Sequence, residues 1–167
     1  MRNKLILAAV VVVGCASIAY AAFTQVLTIQ GTGTIAGDWD VAITDISKVS
    51  SVGATENAAP SFTDTSATFD VDLAYPGASA TYNVIITNNG SIPAKLTSID
   101  GLTQANAAAP LYMQYGLSGL VAGTTTLEPA ANNTATVTVT WDEASTPTTS
   151  GQSKTATITL NYDQNTP

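Results

Sequence analysis

From residue 22 onward, apolar and polar residues alternate over short stretches broken by Gly, Pro, Asn and Asp, the pattern of half-buried β-strands. Phe23, Leu27, Ile29 and Ile35 share one parity in the first stretch, with Gly31 and Gly33 between them; Trp39, Val41 and Ile43 share one in the next. Residues 49–62, rich in Ser, Ala and Gly and containing Pro60, read as a loop. Phe69, Val71 and Leu73 alternate with Asp70 and Asp72, and the turn residues Tyr75-Pro76-Gly77-Ala78 follow. Tyr82, Val84 and Ile86 lead to Asn88-Asn89-Gly90, a tight-turn signal because Asn and Gly both tolerate positive φ. Beyond it, Ala94, Leu96 and Ile99 mark a strand, residues 104–110 a loop with room for one helical turn, residues 112–117 a short strand, and residues 119–133 a turn-rich connection. Two clear strands close the chain: Ala135, Val137, Val139 and Trp141, then Ala156, Ile158, Leu160 and Tyr162. Seven or eight short strands at this spacing predict an all-β fold, a β-sandwich over residues 38–167.

The N-terminus is different. Residues 5–22 form an uncharged apolar run behind Arg2 and Lys4, and the run ends in Ala19-Tyr20-Ala21. A basic start, an apolar centre and small residues at −3 and −1 match a secretory signal over residues 1–21, cut after Ala21, so the protein is expected outside the cell. Two rivals fit the same residues: a retained membrane helix, since the run is at the lower length limit of a span, and a lipid on Cys15. On the signal reading, Cys15 is a small apolar residue discarded with the leader, and contact with the membrane ends at cleavage.

Charge and composition narrow the chemistry. Only 10% of the 167 residues are charged and 45% are hydrophobic, which argues for a packed core rather than disorder. The chain has 12 acids and 5 bases, and removal of the leader leaves only Lys48, Lys95 and Lys154 as bases, so no basic surface exists for nucleic acid. There is no His and the single Cys is Cys15. Ser-His-Asp and Cys-His catalysis and Cys/His metal sites are therefore absent from the mature chain, and no enzyme activity, metal or cofactor is expected. Thr (27) and Ala (26) are the commonest residues, and Thr suits a pleated, uncharged polar face.

The remaining candidates each have a plainer reading. Asp70 and Asp72 lie two apart on one strand and could offer two carboxylates to Ca²⁺, but no dense oxygen-ligand loop accompanies them, and the solvent face of a strand explains them better. Asp38/Asp40 and Asp142/Glu143 are further close pairs without the marks of a paired-carboxylate glycosidase. Trp39 and Trp141, with six Tyr, could make a sugar-stacking platform, yet both share parity with aliphatic neighbours and are read as core residues. Asn89-Gly90-Ser91 and Asn132-Asn133-Thr134 are N-glycosylation sequons on loops, making Asn89 and Asn132 the acceptors.

Three stretches carry a family resemblance. These are Ala19-Tyr20-Ala21-Ala22-Phe23-Thr24 at the signal end, residues 73–94 with Tyr75-Pro76-Gly77, Asn88-Asn89-Gly90 and Pro93-Ala94, and Val139-Thr140-Trp141-Asp142 with the closing strand to Tyr162 and Gln164. Together they resemble the TasA/camelysin group of exported fibre-forming proteins, including related archaeal bundling pili. The chain departs from that pattern at Thr28-Ile29-Gln30-Gly31-Thr32-Gly33-Thr34, which is uncharged where the family is rich in Asn and acids. The resemblance implies an Ig-like or jelly-roll sandwich whose copies join by donor-strand complementation into an extracellular filament, a pilus or a biofilm-matrix fibre. Residues 22–37 would then be the donor strand and its joint, with Phe23, Leu27, Ile29 and Ile35 at the subunit interface and the chain itself as partner, alongside other matrix or pilus proteins. The alternative function is a monomeric surface adhesin or carbohydrate-binding sandwich.

Overall fold

A computed structural model of the chain describes residues 30–145 and 152–165. The signal at residues 1–21 and the interface residues Phe23, Leu27 and Ile29 lie outside the described residues. The chain divides into Met1–Ile35 and Ala36–Pro167. In the first unit, residues 30–35 carry no strand and are exposed, Ile35 at 99%.

The second unit is built from β1 (Val41–Val52), β2 (Ala54–Thr63), β3 (Ser66–Leu73), β4 (Ser79–Asn88), β5 (Ala94–Asp100), the short helix α1 (Leu102–Ala107), β6 (Met113–Ser118), β7 (Thr126–Leu127), β8 (Asn132–Trp141) and β9 (Thr159–Gln164). All pairings are antiparallel. One sheet has the order β1-β4-β8-β6, and facing it are the β2-β3 hairpin and a sheet of order β7-β5-β9. This is the expected all-β sandwich, with nine strands among the described residues rather than seven or eight, because residues 49–62 are strand and a two-residue strand lies within 119–133. Its centre is β4, buried at every second residue from Ala80 to Asn88 and flanked on both sides by long ladders, with Tyr82 opposite Val137 and Val84 opposite Ala135. Ala94 and Leu96 of β5 and Leu127 of β7 close over these residues from the other layer, while Phe69, Val71 and Leu73 of β3 pack against the same core.

The expected loop at residues 49–62 is strand instead. β1 runs on to Val52, turns at Gly53 in the left-handed region (φ 58°), and returns as β2. Two register shifts in β1 and two in β2 break the period, and β2 is mostly exposed, so its residues need not be apolar. Pro60 falls within a register shift of an outer strand, the position a sheet tolerates for it. Gly53 is obligatory here, because a Cβ would run into the ring of Tyr75.

Asn88-Asn89-Gly90 does turn the chain, but between layers rather than within a hairpin. Asn88 is fully buried; its Nδ2 donates to the carbonyls of Ile92 (2.8 Å) and Leu127 (3.0 Å), and its Oδ1 accepts from Gly90 N (3.0 Å). The same turn grips the start of β1: Asn89 N donates to Asp40 O (2.7 Å), Ser91 N to Asp38 O (2.9 Å), and Asp38 N to Ser91 Oγ (2.9 Å). A Cβ on Gly90 would collide with this Asp38–Asp40 backbone. The closing strand is shorter than its alternation predicts, since its ladder to β5 begins only at Thr159.

Candidate functional site: a cleft between two strand edges

The two small sheets do not join each other. β3 pairs with β2 and β9 with β5, and among the described residues no ladder links β3 to β9. Between them runs a cleft of about 1400 Å³. Its floor is the inner face of the β1-β4-β8-β6 sheet, including Ile46, Val84, Ile86, Val137 and Leu117, and its walls are consecutive residues 64–73 on one side and 152–163 on the other. Consecutive lining means that main chain as well as side chain borders the cleft. The wall residues Phe69, Val71, Leu73, Ile158, Leu160 and Tyr162 are apolar or aromatic and only half-buried.

Size and direction define what fits. A strand takes up about 160 Å³ per residue, from ~4.8 Å between strands, ~10 Å between sheets and ~3.4 Å of rise, so the cleft corresponds to about nine residues of one strand. Ile43 N donates to Asp64 O and Ala74 N to Gly53 O, so β3 runs in the direction of β1. β5 starts beside the Asp38–Ser91 contact and ends near α1 and β6, so it too follows β1, and β9 opposes it. A strand seated in the cleft is therefore parallel to one wall and antiparallel to the other.

Polar contacts hold the walls. Lys48 Nζ donates to Glu56 Oε2 (2.7 Å) and Tyr82 Oη to Glu56 Oε1 (3.1 Å), which ties β2 to β1 and β4. The Lys48 ammonium holds the Glu56 carboxyl below its usual range. Burial, with the Glu56 carboxylate as hydrogen-bond acceptor, pushes the Tyr82 phenol up to about 12. The ring of Tyr82 stacks on Phe69 (centroids 4.4 Å apart), fixing β3 over the core. On the opposite wall, Lys154 Nζ donates to the carbonyls of Asn106 (3.3 Å), Pro110 (3.2 Å) and Met113 (2.6 Å), and Tyr115 Oη donates to Lys154 O (2.6 Å). Burial lowers the Lys154 pKa and raises that of Tyr115.

The other sequence candidates are dispersed. Trp39, 38% exposed, lines the cleft at the end where β1 begins, whereas Trp141 closes β8 at the far end. A strand the length of β8 puts about 30 Å between those ends, so the two rings do not share one platform. Neither Trp takes the expected core role: Trp39 is exposed, and Trp141, half-buried and also on the cleft lining, stacks on Tyr112 (5.8 Å) and donates from Nε1 to Ser145 Oγ (2.7 Å) at a sheet end where polar turn residues replace apolar neighbours. Asp70 and Asp72 both accept from the Asn57 amide of β2, at 3.3 and 3.1 Å, and no cluster of three or more His, Cys, Asp or Glu that could hold a metal exists among the described residues. Asn89 and Asn132 are exposed and lie at the same end, since Thr87 pairs with Asn132; Asn89 is in the turn, whereas Asn132 opens β8 rather than lying in the expected loop. Asp142 accepts from Ala144 N (3.0 Å) in a turn.

Lys154 was not singled out from the sequence, although a signal exists. It shares parity with Ala156, Ile158 and Leu160, so the strand pattern turns a lone cation inward. Neither a family model, nor a curated protein, nor a solved structure matches the chain.

Proposed function

We propose that the chain is a structural subunit of an extracellular filament, assembled when residues 22–35 of one copy occupy the cleft of the next. The observation that carries this reading is the cleft itself, an apolar floor between two strand edges that border it with main chain. Strand addition to such edges gains affinity from backbone hydrogen bonds and register from alternate side chains.

Residues 22–35 have the length and chemistry of a suitable occupant. Residues 146–151 and 166–167 are too short for about nine strand positions, and the leader ends at Ala21 on the signal reading. Residues 22–37 are uncharged and place Phe23, Leu27 and Ile29 on one parity. Residues 30–35, at the end of this stretch, are exposed and without strand. The TasA/camelysin resemblance points the same way. In this reading no catalysis, metal or cofactor takes part.

Electron microscopy of the exported protein tests the proposal. Long, regular filaments whose subunits begin at Ala22 by intact mass are expected. A protein that stays monomeric at every concentration and binds no peptide of residues 22–35 is not a strand-exchange subunit. Polysaccharide binding by such a monomer would instead favour the adhesin reading, with Trp39 as the exposed aromatic.

A further inference from the structure

One wall of the cleft is built unlike the other. β3 is a strand laddered to β2 from Ser66 to Leu73, with two register shifts, but residues 152–158 belong to no ladder among the described residues. From 153 on they nevertheless keep strand alternation: 154, 156 and 158 are half-buried, 153, 155 and 157 exposed. The ladder stops at Asp100 because β5 ends there; Gly101 turns the chain away at φ 88°, and the Thr157 carbonyl packs directly on it.

Lys154 is what holds this segment. A lysine ammonium has three donors, and each has a backbone carbonyl, from Asn106, Pro110 and Met113. The cage is itself braced, because Asn106 Nδ2 donates to Tyr115 O (2.8 Å) and Tyr115 N to Asn106 Oδ1 (2.8 Å). The Lys154 carbonyl is fixed by Tyr115 Oη. The main chain is thus pinned at 154 and again at 159, and the residues between are held extended along the cleft.

We infer that residues 152–158 are the second receiving edge for the strand of another copy, and that Lys154 is the positioning residue that keeps this edge in register. The inference rests on the strand-exchange reading above. When the strand seats, β9 lengthens toward residue 152 and both walls become ladders. Because the edge is ordered beforehand, the incoming strand alone loses backbone freedom, which is how preorganisation raises affinity.

The test titrates a labelled peptide of residues 22–35 into the dilute full chain and follows both anisotropy and hydrogen exchange. In the native chain the cleft-facing amides of residues 153–158 are expected to exchange fast without peptide and slow markedly with it, as are the β3 amides that do not bond to β2. Lys154→Met keeps the aliphatic stem and removes the ammonium; binding should weaken about tenfold or more as the edge loses its order. Tyr115→Phe, which removes only the hydrogen bond to the Lys154 carbonyl, should weaken binding less and decides the matter if Lys154→Met does not fold. Peptide that binds and protects β3 but leaves residues 153–158 unprotected, or that binds both variants as tightly as the native chain, overturns the role of this edge while strand exchange stands. Peptide that does not bind the native chain removes strand exchange and this inference together.

Discussion

β4 and the two walls of the cleft carry the same alternation and end in different states. Tyr82, Val84 and Ile86 of β4 are buried, with ladders on both sides, whereas Phe69, Val71 and Leu73 of β3 and Ile158, Leu160 and Tyr162 opposite are half-buried, with at most one. The first group completes a core, and the second leaves apolar side chains and main-chain edges along a cleft. What separates them is the number of neighbouring strands, not the residues themselves. The chain therefore stores its interaction capacity along the cleft, because an unpaired edge over an apolar floor gains from a further strand and β4 cannot.

Side-chain truncation should expose the contrast most strongly. Leu96→Ala, at a fully buried site, is expected to cost 2–5 kcal/mol in urea unfolding, while Val71→Ala on the cleft wall should cost about 1 kcal/mol or less in the monomer. Equal losses would mean that the wall is as complete as the core. The buried corner comes next. Asn88→Ala strips the partners from two carbonyls and one amide, and a loss of roughly 2–4 kcal/mol is expected; a change below 0.5 kcal/mol would show that the corner does not depend on it.

Alkaline pH probes the junction between the two regions, where Tyr82 of β4 reaches Glu56 of β2. The Tyr82 phenol stays protonated to about 12 when folded and ionises near 10 when unfolded, so the folded state holds the extra proton between those values. The contribution is intact below pH 10 and is lost as pH rises toward 12, roughly 2–3 kcal/mol in all. Tyr82→Phe should abolish that part of the alkaline slope, and an unchanged slope would assign it to other groups. The smallest effect is expected from a chelator. Asp70 and Asp72 share the Asn57 amide, so melting should not shift with EDTA, and a fall of several degrees would place a cation on this face of β3.

Strands with clean alternation, and the face of each that turns inward, were legible in the residue order alone, because side chains on a strand alternate and burial selects one parity. The sequence also excluded His-based chemistry, since the chain has no His and Cys15 is its single cysteine. Residues 49–62 defeated it because bulges interrupt the period and a mostly exposed outer strand needs no apolar face. Parity placed Lys154 inward, but only the folded chain brings the carbonyls of Asn106, Pro110 and Met113 to its ammonium from 41 or more positions away. The cleft was equally illegible. Residues 69, 71 and 73 look like 82, 84 and 86 along the chain, and whether a strand gains a second neighbour depends on how distant hairpins divide a layer. That division is a property of the tertiary pairing, because main-chain hydrogen bonds between strands carry no side-chain signature.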